Sequence, residues 1–420
     1  MTASSVATDC EELGISEQDL PARPISAPFG AGWAQVALAV GGLAIGTGEF
    51  ASMGILPSVA TDVGVSIPEA GHMISSYALG VVFGAPAITV ALAKAPRRGL
   101  LVGLMAVFAL GNILSALATS YHGVVAARFI AGLPHGAYFG VAMLTAASLV
   151  PPHRRAQAAG NVLLGLSIAN VVGVPFATWL GQTFGWRATF LAVAALALLT
   201  AAMVRAFTPV IIPAAGAGAR RELGAFRLPQ VWLTLGVAAI GFGGMFAVYS
   251  YVTPTLTEVT GVSLGMVPPM LSVLGLGMIV GNVIGGWLAD RALKATLIGA
   301  LVWNGVVLGA FAFTSGSAWL AAINLFLIGG CIAMGPALQT RLMDVAGEAQ
   351  TLAAALNHSA FNMANALGAW LGGVAIAIGF GWTSPGIVGA ALAAAGLVVL
   401  LISFRLEARD PGVTEAGVLL

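Results

Sequence analysis

The chain has 420 residues, of which 59% are hydrophobic and only 8% are charged, and its formal net charge at pH 7 is +1. An average soluble globular protein carries about 25% charged residues, so this chain has too few to cover its surface against water. A mean hydropathy of +0.96 indicates a membrane protein. Because the net charge is close to zero, the chain offers no basic surface for nucleic acid, and we expect none as a partner.

The N-terminal segment 1–31 is polar, acidic and interrupted by proline, which predicts a disordered tail. Beyond it, a window of about 19 residues finds twelve apolar runs long enough to cross a bilayer. They lie near 32–57, 69–93, 99–118, 121–148, 155–181, 187–207, 229–256, 264–289, 295–314, 318–342, 351–378 and 384–404. The runs predict an all-α membrane protein with twelve transmembrane helices.

Basic side chains cluster in every second segment between the apolar runs. If the N-terminus is cytoplasmic, 15 of the 17 lysines and arginines fall on the cytoplasmic side of the membrane. Of the other two, Arg187 falls outside and Arg128 lies within a span. Because basic loops tend to stay in the cytoplasm, this asymmetry predicts that both termini are cytoplasmic and that the odd-numbered helices run outward.

The two halves of the chain repeat each other at a shift of about 197 residues. The matches are Gly80 and Gly84 with Gly277 and Gly281, Pro57 with Pro254, and Lys94 and Arg97 with Arg291 and Lys294. We therefore predict two six-helix bundles at 32–207 and 229–404, a cytoplasmic linker at 208–228 and a cytoplasmic tail at 405–420. Paired repeats around a central site are how secondary transporters alternate access, although close helix packing also explains the glycine pairs.

Two loops on the predicted cytoplasmic side carry related patterns. The stretch GGWLADRALK, residues 285–294, follows the pattern G-x-x-x-D-R-x-x-x-[KR] through Gly286, Asp290, Arg291 and Lys294. Its counterpart in the first half is GAPAITVALAKAPRR, residues 84–98. This segment keeps the basic residues Lys94 and Arg97 but has Ala93 where the repeat places Asp290.

Further motifs lie within the helices. The fourth helix contains RFIAGLPHG, residues 128–136, in an R-x-x-x-G-x-x-x-G pattern, and the first contains GTGEFASMGILPSVATDVGVS, residues 46–66. The fifth contains GLSIANVVGVPFATWLG, residues 165–181, which lacks an adjacent Gly-Pro pair. With the loop patterns, these segments resemble the major facilitator superfamily over about residues 32–405. Within it the chain is similar to the twelve-helix drug:proton antiporter branch that holds chloramphenicol-resistance, arabinose-efflux and purine-nucleoside-efflux proteins.

The resemblance implies a major facilitator fold with two pseudo-symmetric six-helix bundles and a central cavity lined by the first and fourth helices, among others. It implies a gating role for the loop residues Asp290, Arg291, Lys294, Lys94 and Arg97. The absence of an acid at position 93 puts a salt bridge of the first loop in doubt. It also implies a partial antiporter motif at Gly165, Gly173 and Pro175.

Glu49 is the only acidic residue deep within a span, and Arg128 is the only basic one. A charge at the centre of a bilayer costs about 3 kcal/mol on insertion scales, so such residues are usually functional. Counted from the predicted outer helix ends at a rise of about 1.5 Å per residue, the two side chains lie at similar depth in the outer half of the membrane. They form either a permanent pair that locks the bundle or a pair that breaks as Glu49 takes up a proton, and we favour the second.

Several other polar and aromatic residues within the spans are candidates for the substrate cavity: His135, Phe246, Tyr249, Asn282, His358 and Asn362. His135 lies two turns from Arg128 on the same helix face and could contact substrate, relay a proton or simply pack beside Pro134. His358, Asn362 and Asn365 share one face of the eleventh helix. Buried amides often hold helices together, and aromatic residues in spans mostly pack, so these alternatives stay open.

The chain contains neither a G-x-x-x-x-G-K-[ST] nucleotide loop nor a cluster of metal-binding residues, so we expect no cofactor, no metal and no enzymatic activity. The pattern predicts a bacterial inner-membrane protein that exports a small molecule, drug-like or metabolic, by proton antiport. Sugar or nucleoside export, and proton-coupled import on the same fold, remain alternatives, as does a polytopic membrane enzyme. The expected partners are the substrate, protons and the lipid bilayer, and nothing requires more than a monomer.

Overall fold

The computed structural model describes residues 29–92, 94–151, 154–211, 227–346 and 350–409. Most of the predicted tails, 1–31 and 405–420, and of the predicted linker at 208–228 lie outside these described residues. Ala93, where the first loop lacks an acid, lies outside them as well.

The first half of the chain folds into six long helices. Helix α1 is Ala31–Gly54, α2 is His72–Ala91, α3 is Arg97–Leu117, α4 joins Tyr121–Gly132 to His135–Ser148, α5 joins Arg155–Ile168, Ala169–Gly173 and Val174–Phe184, and α6 is Trp186–Phe207. Two short helices, Leu56–Val63 and Ile67–Ala70, connect α1 to α2. Helix α4 is interrupted at Pro134, which precedes its second part and cannot donate a backbone hydrogen bond.

The second half repeats this arrangement. Helix α7 joins Pro229–Gly236, Val237–Gly241, Gly243–Ser250 and Val252–Glu258, α10 joins Ala318–Gly329, Gly330–Ala333 and Met334–Val345, α11 joins Gln350–Ala375 and Ile376–Phe380, and α12 is Ser384–Arg409. Between α7 and α10, residues Val267–Thr314 form two helices that meet at Ala292, where the backbone is not helical (φ −154°, ψ 71°). We refer to 267–291 as α8 and to 293–314 as α9.

The described residues contain eleven helices that are long and apolar enough to cross a membrane. One of them, Leu264–Thr314, has 51 residues, whereas a single span needs about 20. Divided at Ala292, it supplies two spans, which brings the number to twelve. No strand occurs among the described residues, so the predicted all-α membrane fold is confirmed. Large apolar side chains on its outside, such as Phe313 and Trp319, are suited to face lipid.

The repeated glycines lie where helices touch. A methyl group at Gly80 of α2 would collide with the carbonyl oxygen of Phe129 in α4. A methyl group at Gly277 of α8 would collide in the same way with the carbonyl oxygen of Phe326 in α10. Because Phe129 and Phe326 occupy matching positions of the repeat, the two halves use one packing scheme. The glycine pairs therefore allow close helix contact, which is the explanation by helix packing that the sequence left open beside a role in alternating access.

The hydrogen bonds that join the two halves lie in one region of the molecule, which extends from the middle of the membrane to the predicted outer helix ends. The Thr253 hydroxyl of α7 donates to the carbonyl oxygen of Met53 in α1 at 3.1 Å. The Ser75 hydroxyl of α2 donates to Ala366 of α11 at 3.1 Å, and that of Ser272 of α8 donates to the carbonyl oxygen of residue 171 in α5 at 3.2 Å. In the described part of the chain, no hydrogen bond joins the halves nearer the predicted inner side. The structure is therefore closed at its predicted outer side.

Candidate functional site

Glu49 is held at the junction of the two halves by the glycines that precede it in α1. A Cβ atom at Gly46 would collide with α5, and one at Gly48 would collide with Phe108 of α3 and Val193 of α6. These close contacts occupy the other sides of α1 and leave the carboxyl group of Glu49 facing the second half. Only 5% of Glu49 is exposed. Its Oε1 accepts a hydrogen bond of 3.1 Å from Nδ2 of Asn365 in α11.

Arg128 is fully buried at the same depth, but it does not bind the Glu49 carboxylate. Its Nη2 donates to the carbonyl oxygen of Gly48 at 2.9 Å. The guanidinium lies 4.3 Å from the ring centre of Tyr77 and 5.3 Å from that of Phe190, which adds cation–π attraction in a dry site. Among the described residues, no ion pair links Glu49 to Arg128, so the direct pair that we considered is not formed in this state. The backbone carbonyl and the two rings take its place.

His135 completes a buried polar cluster around Glu49, which we call the Glu49 cluster: Glu49, Tyr77, Arg128 and His135. The Nδ1 atom of His135 lies 3.9 Å from Oε2 of Glu49. The same atom lies 3.0 Å from the hydroxyl oxygen of Tyr77, and His135 is 3% exposed. Of the predicted site residues, the structure thus brings Glu49, Arg128 and His135 together at one point between α1 and α4.

His358 and Asn362 lie below the cluster, toward the predicted inner side. The ring of His358 stacks on that of Phe139 at 5.7 Å with an angle of 4° between the planes, and Phe139 lies one turn from His135 on α4. Asn362 donates through Nδ2 to the carbonyl oxygen of His358 at 3.0 Å, while its buried Oδ1 has no hydrogen-bond partner. Phe139 and His358 belong to different halves, so their stacked rings join α4 to α11 on the inner side of the Glu49 cluster.

Phe246 and Tyr249 lie in the closed contact between the halves, packed against α1. Both rings stack on Phe50, at 6.3 Å and 5.5 Å, and both are buried. They form part of the outer seal in this state. Asn282, in contrast, is exposed, and it lies two turns along α8 on the face where Gly275 touches Asn170 of α5. It is therefore placed where the two halves separate.

The loop residues fall into different surroundings in the two halves. Asp290 and Lys94 are exposed. Arg291 packs its guanidinium over the ring of Trp287, 3.7 Å from the ring centre, and donates to the Trp287 carbonyl oxygen. Lys294 forms an ion pair of 3.1 Å with Glu407 of α12. Arg97 donates to the Leu144 carbonyl oxygen of α4 at 3.1 Å. In this state each of these bonds stays within its own half.

The residues of the partial antiporter motif bring α5 against α1. A Cβ atom at Gly165 would collide with the carbonyl oxygen of Ala39, and one at Gly173 would collide with the hydroxyl of Thr47. Pro175 is the second residue of the last part of α5, which directly follows a wider helical turn at Ala169–Gly173. The glycines therefore place α1, and with it Glu49, by close backbone contact.

Sequence reasoning left two residues of the site out of its candidates, Tyr77 and Asn365. Tyr77 lies three residues before Gly80 on the α2 face that meets α4, so the glycine contact was a usable signal. Asn365 was recognised on the same face as His358 and Asn362, but nothing in the sequence indicates that this face reaches α1. In the described part of the chain, no group of three or more acidic, His or Cys side chains could hold a metal ion.

Comparison with known proteins adds family information to this geometry. The model of the Major Facilitator Superfamily matches residues 38–349 and 235–418. The chain is 43% identical over 375 residues to the inner membrane transport protein YdhP of Escherichia coli (strain K12), which covers 88% of this chain and 95% of that protein. It is 32% identical over 342 residues to a chloramphenicol resistance protein of Streptomyces lividans, covering 79% of this chain and 86% of that protein.

Among solved structures, the fold resembles a bacterial homolog of the human lysosomal transporter Spinster in an inward-facing, unoccupied conformation. The TM-score is 0.66 with 18% sequence identity, and the match covers 89% of this chain and 95% of that chain. At this identity the likeness concerns the fold alone.

Proposed function

The chain belongs to the Major Facilitator Superfamily, and from that premise we propose that it exports a small molecule across a bacterial inner membrane in exchange for protons. The family makes it a multi-pass membrane transporter and not an enzyme. The direction of transport, the coupling to protons, the cytoplasmic position of both termini and the nature of the cargo belong to the proposal.

The observation that carries the proposal is the position of Glu49, a buried carboxyl group at the junction of the two halves whose neighbours are mostly neutral. Its hydrogen-bond partner is the amide of Asn365, and the His135 imidazole lies 3.9 Å away. Both groups can face either a carboxylate or a carboxylic acid, because an amide and an imidazole can each donate or accept. Arg128 donates to the Gly48 carbonyl oxygen and lies over two aromatic rings, while its buried Nε and Nη1 have no hydrogen-bond partner, so no direct bond ties it to the Glu49 carboxylate. This arrangement favours a carboxyl group that changes its protonation state over a permanent ion pair.

Alternating access turns such a group into a coupling device. When the outer contacts separate, Glu49 is reached from outside and takes up a proton. When they close, as here, the proton leaves toward the inner side past His135 and His358, and cargo enters from that side. Export then follows because the protonated carrier returns inward and the deprotonated, cargo-bound carrier moves outward.

The cavity chemistry suits a moderately apolar cargo. Phe50, Phe246 and Tyr249 seal the outer side in this state and become aromatic walls of the cavity when the outer contacts separate, while Asn282 and Asn362 provide a few polar contacts. A ligand with an apolar body and a small number of hydrogen-bonding groups fits walls of this kind. The similarity to a chloramphenicol resistance protein favours a drug-like or multidrug cargo, with sugars and nucleosides as the second class to test.

Transport assays on inside-out vesicles test the proposal, after a growth-inhibition panel of phenicols, nucleosides and pentoses has identified a cargo. Respiration acidifies the vesicle lumen, and we expect cargo to accumulate there while protons leave, as reported by a lumenal pH dye. Glu49→Gln is expected to abolish gradient-driven accumulation and to keep gradient-independent exchange of labelled cargo, because exchange needs no proton. Glu258→Gln, which changes an exposed carboxyl at the outer end of α7, serves as the matched control and is expected to behave as the native protein.

Two results would overturn the proposal. Full accumulation by Glu49→Gln would show that the proton is carried elsewhere. Release of cargo from the vesicles together with protons would show import by symport.

A further inference from the structure

The hydrogen bond from Asn365 to Glu49 differs from the other hydrogen bonds that join the two halves. Thr253, Ser75 and Ser272 all donate to backbone carbonyl oxygens, whose charge does not change with pH. Asn365 donates to a carboxyl oxygen. Among the hydrogen bonds that join the halves in the described chain, it is the one whose acceptor can gain or lose a proton.

The direction of this bond indicates the charge state that it favours. Asn365 donates through Nδ2, and its buried Oδ1 has no hydrogen-bond partner. A carboxylate can only accept, whereas a carboxylic acid also has a proton to donate. A hydrogen bond to an ionised acceptor is roughly twice as strong as one between neutral groups. The contact therefore stabilises the closed outer side most when Glu49 is deprotonated.

Other titratable or charged groups also face Glu49. Arg128 and His135 approach from α4, Tyr77 from α2 and Tyr249 from α7. His358 lies two turns from Asn365 on α11, toward the inner side. Histidine is the side chain whose ordinary pKa lies closest to neutral, so a test of pH dependence must separate His135 and His358 from Glu49.

We propose that Asn365 is a positioning residue that holds the deprotonated, empty carrier closed at its outer side and so prevents protons from leaking without cargo. The inference rests on the proposed function. In a proton exchanger, leak requires the empty and deprotonated carrier to open outward. The Asn365–Glu49 bond opposes that step, and either proton uptake by Glu49 or the binding of cargo weakens the opposition.

The test measures outer opening directly, with spin labels in the two outer loops. Thr119→Cys and Gly316→Cys occupy matching positions of the repeat and are both exposed, and Cys10 and Cys331 are replaced by Ser. Electron–electron distance measurements in nanodiscs give the fraction of molecules with separated loops at alkaline and acidic pH. For the native site we expect this fraction to be small at alkaline pH and several-fold larger after acidification.

Three variants give distinct expectations. Asn365→Leu is expected to raise the open fraction at alkaline pH by about tenfold, to remove its pH dependence and to raise cargo-free proton leak into liposomes by a similar factor. Asn365→Asp has nearly the same size and shape, so it leaves the packing around Glu49 free of a cavity or a clash. At alkaline pH two carboxylates repel, and on acidification they share one proton, so the open fraction should fall with acid, opposite to the native sign. Glu49→Gln, which leaves His135 and His358 in place, should show no pH dependence, and Glu258→Gln, which lies outside the cluster, should keep it.

The outcomes distinguish a failure of this inference from a failure of the proposed function. If Asn365→Leu and Asn365→Asp both respond to pH as the native protein does while Glu49→Gln does not, the role of Asn365 is overturned and proton coupling through Glu49 stands. If Glu49→Gln keeps the native response, the carboxyl group is not the sensor and the inference is overturned with it.

Discussion

Arg128 donates a hydrogen bond of 2.9 Å to the carbonyl oxygen of Gly48, one residue before Glu49, and makes no ion pair with the Glu49 carboxylate. The two charges are thus neighbours with separate partners. If Arg128 and Glu49 formed a buried ion pair, the carboxylate would have to stay charged. Because Arg128 contacts a carbonyl oxygen and two rings instead, the charge of Glu49 is free to change.

A double-mutant cycle on stability tests this separation. We expect the coupling free energy between Arg128→Met and Glu49→Gln to be about 1–2 kcal/mol, because the side chains share no hydrogen bond but remain neighbouring charges in a buried site. Breaking one partner of a buried ion pair would instead cost about 3–5 kcal/mol, which the second change would largely cancel. Thermal unfolding of the purified protein and its three variants gives the four values, and a coupling energy of several kcal/mol would restore the permanent pair.

The repeated glycines give a second prediction. Gly80→Ala and Gly277→Ala should each destabilise the protein by about 1–3 kcal/mol, because the added methyl group meets a backbone carbonyl oxygen that cannot move aside. Gly103→Ala is the control, since a Cβ atom there meets nothing within 4 Å. Its stability should be unchanged or slightly raised by better helix propensity. Equal behaviour of all three variants in thermal unfolding would contradict the packing scheme.

The sequence indicated the fold and the central carboxyl group for physical reasons that need no long-range information. Apolar runs of bilayer length report the helices, and an isolated acid such as Glu49 is conspicuous within one of them. The internal repeat related the α2–α4 contact to the α8–α10 contact because Gly80 and Gly277 serve the same packing.

The partners of the charged groups were beyond the same reasoning. Asn365 meets Glu49 across a sequence separation of 316 residues, and that meeting depends on how two separately folded bundles dock. Arg128 and Glu49 were placed at equal depth by helix rise, but depth does not determine which side chain orientation is adopted. The aromatic rings of Tyr77 and Phe190, which come from two further helices, determine the orientation of the Arg128 side chain.

An ion pair at the predicted outer surface should make stability depend on pH in the acid range. Arg187 donates to Oδ2 of Asp62 at 2.7 Å, and this hydrogen bond holds the pKa of Asp62 below its ordinary value. A carboxyl group whose pKa is lower in the folded state stabilises the protein fully above its ordinary pKa. That contribution is lost as pH falls through the lowered, folded-state pKa.

We therefore expect the thermal stability of the native protein and of Asp62→Asn to differ slightly at neutral pH and to converge as the pH falls below about 4. The effect should be small, because the pair is exposed. Arg187→Gln should reproduce the behaviour of Asp62→Asn. A difference that grows on acidification would contradict the assignment.

Two cations share Glu407 at the predicted inner end of the second half, and burial should make their contributions unequal. Arg341 binds Glu407 through both terminal nitrogens, at 3.1 Å and 3.0 Å, and is 4% exposed. Lys294 lies 3.1 Å from the same carboxylate, but 58% of its side chain is exposed. We expect Arg341→Met to cost about 3 kcal/mol or more, because it leaves a partly buried carboxylate with a single exposed partner. Lys294→Met should cost less than about 1 kcal/mol, because its pair is open to water and ions.

Thermal unfolding at low and high salt separates the two contributions, since salt should weaken only that of the lysine. A larger loss in Lys294→Met than in Arg341→Met would show that this loop lysine, and not the buried arginine, holds α12 at that end.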